Sequence, residues 1–225
     1  PGAAARALRW TAVSGVVRLT ARQDERGIEI AVSDSGRDIF QSIRTGNGTF
    51  SLAAASANTG TGVIGSGSVL DPTSWTGNNY QIQFTSPTSY TVTNTTTAAV
   101  IGSYTYASNT EITAVPGISF SIQGAPAALD SFTVAPSTDQ SIFTTLQNLI
   151  SAFSTNISGN ATAGAAVRNT INAEMKNLDR TLENVSTVQA SIGSRRSELS
   201  SLTNVSEALE LHYKERISDL QDIDY

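Results

Sequence analysis

Residues 59–67 read TGTGVIGSG and contain Gly60-x-Gly62-x-x-Gly65. That spacing is the dinucleotide-binding fingerprint, in which backbone N–H groups of a glycine turn and a helix N-terminus hold a pyrophosphate. The chemistry needs a strand before the glycines and a helix opening within them. Here SLAAASAN precedes, and SGSVLDPTSW follows with Gly67 and Pro72, which cannot begin a long helix. The glycines are therefore read as a loop of a β domain, with no cofactor. His212 is the only histidine and there is no cysteine. Thiolate metal sites, a cysteine nucleophile, disulfides and multi-histidine zinc sites are excluded. His212, among charged residues, reads as solvated. Asp219, Asp222 and Asp224 lack the glycine and glutamate of a calcium loop and read as a solvated helix face. No Ser/His/Asp set, carboxylate pair or phosphate loop is recognisable, so no catalytic or metal-binding residue is assigned. The Asn-x-Ser/Thr sequons at Asn47, Asn94, Asn156, Asn160, Asn184 and Asn204 are read as chance in a Ser/Thr-rich chain.

Charge placement narrows the partners. The 225-residue chain has a net charge of −5, and five of its 14 basic residues are Arg6, Arg9, Arg18, Arg22 and Arg26. From Thr45 to Val167 there is no Lys or Arg. A nucleic-acid face needs clustered cations to displace counterions, so no nucleic acid is expected as a partner. No apolar run approaches the roughly 20 residues that span a bilayer, so no membrane partner is expected either.

Two kinds of chain must position whatever these residues do. YQIQFT (80–85), YTVTN (90–94), SYTYA (103–107), ISFSIQ (118–123) and SFTVA (131–135) alternate apolar and polar residues with period two, and GIEIAV (27–32) is a further candidate. Turn residues separate them. This predicts an antiparallel β domain, a sandwich or partial barrel. After residue 136 the period changes. Ser137 and Gln140 fit a capping box. Ile142, Phe143, Leu146, Leu149, Ile150 and Phe153 then form one helical stripe. NISGNATAG (156–164) breaks it. From Val167 to Ile223 apolar residues recur at a mean spacing of about 3.5, the coiled-coil period. One gap is filled by Arg195 and Arg196. A continuous helix there is about 85 Å long at ~1.5 Å per residue, and Gly193, at a cost of ~1 kcal/mol, admits a bend. Such a helix needs apolar partners along its length, from another segment of the same protein or from other subunits. The two arginines have two open readings: their stems cover apolar surface, or they contact another subunit.

The wording of both regions resembles the hook-associated proteins of the bacterial flagellum, within the flagellin superfamily. VQASIGSRRSEL (188–199) and ISDLQDIDY (217–225) are the most specific stretches, and they are similar to the branch at the junction of hook and filament. GISFSIQGAPAALDSFTVAPSTDQSIFTTLQNLI (117–150) is similar to a segment that runs from a Gly-Asp-x-Phe-x-Val strand into a Gln-Ser-x-Phe helix. Leu129 stands where the family has glycine, which predicts an altered turn. Thr20, Ala21 and Arg22 replace a family Tyr-x-Gly-Asp. PGAAARAL resembles the opening of the family's N-terminal helices, most of which are then missing. The chain also stops before the family's last helix, so it is expected to be truncated at both ends.

The resemblance implies an α+β fold: an antiparallel β-rich domain at 27–136 that projects outward, and a long-helix domain of flagellin type at 137–225. Residues 1–26 are an N-terminal remnant, placed with the helical domain. It implies a structural adaptor and not an enzyme, without cofactors. The adaptor joins the hook, through the first hook-associated protein, to the flagellin filament. Copies self-associate in a ring, and an export chaperone is a further partner. The protein is expected outside the cell, exported through the flagellar type III channel without a cleaved signal. Arg180, Arg195, Arg196 and Glu198 are the expected subunit-interface residues. The free, truncated chain is expected to be a monomer. The rival readings are a β-rich adhesin head on a coiled-coil stalk, which would trimerise by itself, and another axial protein of the flagellin superfamily.

Overall fold

The computed structural model describes residues 8–10, 17–24, 27–34 and 36–222. Asp224, Ile223 and most of PGAAARAL lie outside the described residues. The chain divides into two units, Pro1–Leu182 and Glu183–Tyr225.

The first unit opens with three antiparallel strands, β1 (Leu8–Trp10), β2 (Val17–Asp24) and β3 (Gly27–Asp34), in the order β1-β2-β3. β3 is the strand expected at 27–32. β1 and β2 fall in the span read as a remnant of the helical domain, and Thr20–Arg22 pair with β3. A short helix α1 (Arg37–Phe40) and strand β4 (Ile43–Arg44) follow. The main sheet has five strands: β5 (Phe50–Ala54), β8 (Tyr80–Ser86), β9 (Ser89–Asn94), β10 (Ala99–Thr105) and β13 (Ser131–Pro136), in the order β10-β9-β8-β13-β5. A smaller sheet pairs β12 (Ile118–Gln123) with β6 (Val63–Ile64), β7 (Ser68–Val69) and β11 (Glu111–Ile112).

The period-two pattern explains the core. Register sets Val92 opposite Ile82, Ile82 opposite Phe132, and Phe132 opposite Ala54. One row of side chains therefore crosses four strands on one face of the sheet. Phe84 stands beside it, 5.9 Å from the Phe132 ring and 5.1 Å from Tyr106. Ile64, Ile112, Ile118, Phe120 and Ile122 of the smaller sheet join the same buried cluster. The β domain is thus a two-layer sandwich, and the expected α+β class is borne out.

Two local expectations turn out as follows. The turn before β13 has a glycine-type geometry despite the leucine: Asp130 N–H bonds the Ala127 carbonyl and Leu129 between them has φ of 73°. A β-turn with positive φ at its third position favours glycine, and here an exposed leucine occupies it. The capping box at 137–140 is not formed. Asp139–Gln140 is instead a short strand, β14, paired with β4. Ser137 is buried and its hydroxyl donates to the Thr45 carbonyl at 2.8 Å. The helix cap is Ser141, whose Oγ accepts from Phe143 N–H, and helix α2 runs from Ile142 to Phe153. The sequence offers serines at 137 and 141. Bonds to the Thr45 and Thr49 carbonyls claim the first, and the helix starts at the second.

The loop at 156–160 ends on Asn160, whose Oδ1 accepts from Ala163 N–H. Helix α3, Ala161–Asp222, has 62 residues and is unbroken through Gly193. Its residues to Leu182 belong to the first unit and those from Glu183 to the second.

Candidate functional site

The glycine loop does hold an anion, but the anion is the protein's own. Asp130 is buried, and its carboxylate accepts from Thr59 N–H (2.7 Å), Gly60 N–H (3.0 Å) and Ala127 N–H (2.9 Å). Converging backbone donors make such loops suit negative charge, and charge-assisted bonds of this kind are the strong ones. A Cβ on Gly60 would come within 2.4 Å of the Ala127 nitrogen, and one on Gly62 within 2.9 Å of the Phe132 ring. The glycines are there for close approach. The loop with its short strand β6 leaves no helix to receive a pyrophosphate.

That loop is also where α3 meets the sandwich. Thr162 Oγ1 donates to the Thr59 carbonyl at 2.7 Å. Asn169 bonds β6 and its approach twice: its Oδ1 accepts from Ile64 N–H (2.8 Å) and its Nδ2 donates to the Gly62 carbonyl (3.0 Å). Asn177 Oδ1 accepts from Gly46 N–H at 2.9 Å, and the Arg180 guanidinium donates to the Asn47 carbonyl. Helix residues thus satisfy main-chain groups of two loops that have no strand partner there.

One carboxylate ties three elements. Glu174 is buried on α3 and accepts from Gln140 Nε2 of β14 (3.0 Å), Asn148 Nδ2 of α2 (2.5 Å) and Asn177 Nδ2 of α3 (2.8 Å). A buried carboxylate is tolerated where its oxygens are hydrogen-bonded. A cleft of about 260 Å³ opens beside it, lined by Gly46, Phe50, Ile64, Asn172 and Asn177 among others. No buried side-chain polar atom among the described residues lacks a partner. Glu174, Gln140 and Asn177 on its wall bond one another, so this wall is the joint between α3 and β14. The described residues hold no cluster of metal-ligating side chains, and no described helix is long and apolar enough to cross a membrane.

Sequence reasoning misses this joint because Glu174 lies between apolar positions of the stripe. A signal exists: Asn169, Asn172 and Asn177 sit inside a helix, where asparagine is a poor former unless its amide has work elsewhere.

The apolar stripes are the second feature. On α2, Leu149 and Ala152 are buried, whereas Phe143, Ile150 and Phe153 are 63%, 66% and 71% exposed. On the second unit, Ile192, Leu199, Leu202, Leu209, Tyr213 and Leu220 are all more than half exposed. Rows of exposed large apolar side chains are a common feature of interaction surfaces. Arg195, Arg196 and Glu198 are exposed on that same stretch. Arg180 is apart from them, half-buried in the first unit on Asn47.

Comparison with known proteins agrees with both regions. Residues 53–136 match the family model described as flagellar hook-associated protein 1, D2-like domain. No curated protein matches the chain. A crystal structure of FlgL from Xanthomonas campestris superposes with a TM-score of 0.79 at 28% identity, covering 91% of this chain and 66% of that one. A second crystal form of that protein gives 0.68 at 31% identity, over 74% and 54%. Hook-associated protein 3 of Legionella pneumophila gives 0.82 at 24% identity, over 94% and 66%, a likeness of fold alone. The chain thus spans under two thirds of the length of these solved relatives.

Proposed function

From the premise that this chain is FlgL-like, similar to the flagellar hook-associated proteins, we propose that it is a structural subunit joining the hook, through the first hook-associated protein, to the flagellin filament. One observation carries the reading: a sandwich that buries its own apolar rows is joined to a long helix that exposes its apolar row. A subunit of a tube needs both. The sandwich folds and stands alone, and the helix face is completed by neighbours. Residues 27–136 are the projecting domain and 137–225 the helical domain in this reading. Arg195, Arg196 and Glu198 lie at the contact with neighbouring subunits or the partner ring, and Arg180 supports the joint from within. The protein works outside the cell after type III export, as a structural part and not a catalyst.

The test is made in the full-length protein. Arg195→Glu with Arg196→Glu sets like charge where opposite charge is needed, and such juxtapositions are costly across an interface. Filaments are then shed into the medium while hooks remain. Normal swimming with retained filaments would refute the assignment of these residues.

A further inference from the structure

One of the two loops that α3 holds contains the chain's one Asn-Gly step, Asn47–Gly48. That dipeptide has a chemistry of its own. Glycine sets no side chain in front of its main-chain nitrogen, so the nitrogen can reach the carboxamide of the asparagine before it. Gly48 N gives its proton to hydroxide and forms a bond to Asn47 Cγ; the Cγ–Nδ2 bond breaks and ammonia leaves. Water then opens the five-membered imide at either carbonyl, giving aspartate or an isoaspartyl link. The net change is amide plus water to carboxylate plus ammonium, with no oxidant or reductant.

Ring closure makes a geometric demand. The carboxamide must swing over Gly48 N, and the planar peptide between the two residues must turn about the Cα–C bond of Asn47. Here every group that must move is tied. Asn47 Oδ1 accepts from Thr49 N–H (3.0 Å) and Phe50 N–H (2.9 Å), and Nδ2 donates to the Gly67 carbonyl (3.3 Å). Gly48 N–H donates to the Thr45 carbonyl at 3.2 Å. The Asn47 carbonyl accepts from the guanidinium of Arg180 on α3, and a Cβ on Gly48 would stand 3.2 Å from the carbon of that guanidinium. Beside it, Asn177 of α3 holds Gly46 N–H at 2.9 Å. Asn47 and Gly48 are only half-buried, so water and hydroxide reach them. Tethering, not burial, keeps the carboxamide from its neighbour, and two of the tethers come from α3.

We propose that Asn47 is a covalent modification site guarded by α3: while the helix is seated the amide persists, and when the joint opens it is lost to deamidation. The change is one-way. An aspartate at 47 has no Nδ2 donor and sets a carboxylate against the Gly67 carbonyl. An isoaspartyl link carries the main chain through Cβ and Cγ. The oxygen that capped Thr49 and Phe50 then becomes a main-chain carbonyl, and the loop gains a methylene. Either product offers α3 a poorer seat, so residue 47 records past openings of the joint. This property is independent of the flagellar reading.

Mass spectrometry of the peptide that spans residue 47 reads the reaction as a gain of about one dalton, during incubation in mildly alkaline buffer. Conversion in the folded chain is expected to be at least about tenfold slower than in urea, as for a group that reacts only from an open state. Arg180→Ala should speed conversion in the folded chain about threefold or more, and Asn177→Ala, which frees Gly46, should act the same way. Amide exchange separates local opening from general unfolding. Gly48 N–H should exchange faster in both variants, and Val92 N–H in the main sheet should not. Equal conversion rates folded and in urea would overturn the guard. So would wild-type rates in both variants, or a parallel rise at Val92, since the helix is then not what holds Asn47. Chains converted in urea and refolded should exchange faster at Gly46 N–H than unconverted ones. Unchanged exchange there would refute the loosening of the joint.

Discussion

The two units treat the same kinds of side chain in opposite ways. Phe132, Ile82 and Val92 are wholly buried in rows that cross the sheet. Leu202 and Leu209, no less apolar, are 57% and 52% exposed on α3. The first arrangement is complete within the chain. The second is left exposed on the helix. Helix α3 shows the contrast along its own length, since up to Leu182 its polar residues are committed to the sandwich and beyond it Leu199, Leu202 and Leu209 are exposed. Burial inside a unit sets stability, whereas burial between copies sets association, and a substitution on either side should report which is which.

The largest effect is expected in the row that spans the sheet. Phe132→Ala removes a ring in contact with Phe84 and leaves a cavity that close packing cannot fill. Urea unfolding should show a loss of about 3–5 kcal/mol. A loss under ~1 kcal/mol would mean the sandwich is looser than its register implies. Next comes the joint. Asn169→Ala strands a buried N–H at Ile64 and a carbonyl at Gly62, at about 1–3 kcal/mol for each group left unsatisfied. Amide exchange at Ile64 should rise with it. Unchanged protection there would mean the helix is not what holds β6. The smallest effect is on the free row. Leu202→Ala should move unfolding of the sandwich by no more than ~0.5 kcal/mol, while weakening any self-association measured at the same time. A destabilised sandwich would erase the distinction between the two regions.

How much of this is legible in the sequence depends on whether one element or two decide the outcome. Strands β8, β9, β12 and β13 are legible because the pleat alone dictates their alternation. The long helix is legible because a seam of 3.5-residue spacing, held over many turns, matches neither the period of a strand nor the irregularity of a loop. The start of α2 is not. Ser137 and Ser141 both offer a capping hydroxyl, and only the bonds of Ser137 to Thr45 and Thr49, distant in sequence, leave the cap to Ser141. The joint is hidden for the same reason. Glu174, Asn148 and Gln140 come together from three elements, and nothing in the local pattern around any one of them names the other two. The flanks of the glycines at 60, 62 and 65 identify a loop, yet that they receive Asp130 cannot be seen without the turn that brings it back.

Asn169 has a consequence for motion. Its amide offers β6 an acceptor and a donor side by side, as a neighbouring strand would. A helix advancing by one residue turns by about 100° and shifts ~1.5 Å, which would carry the amide away from both partners at once. The residue therefore works as a key in a slot: Ala161–Leu182 can neither spin nor creep against the loop at 62–64 without first unlocking. Any such slip must release both of its hydrogen bonds together.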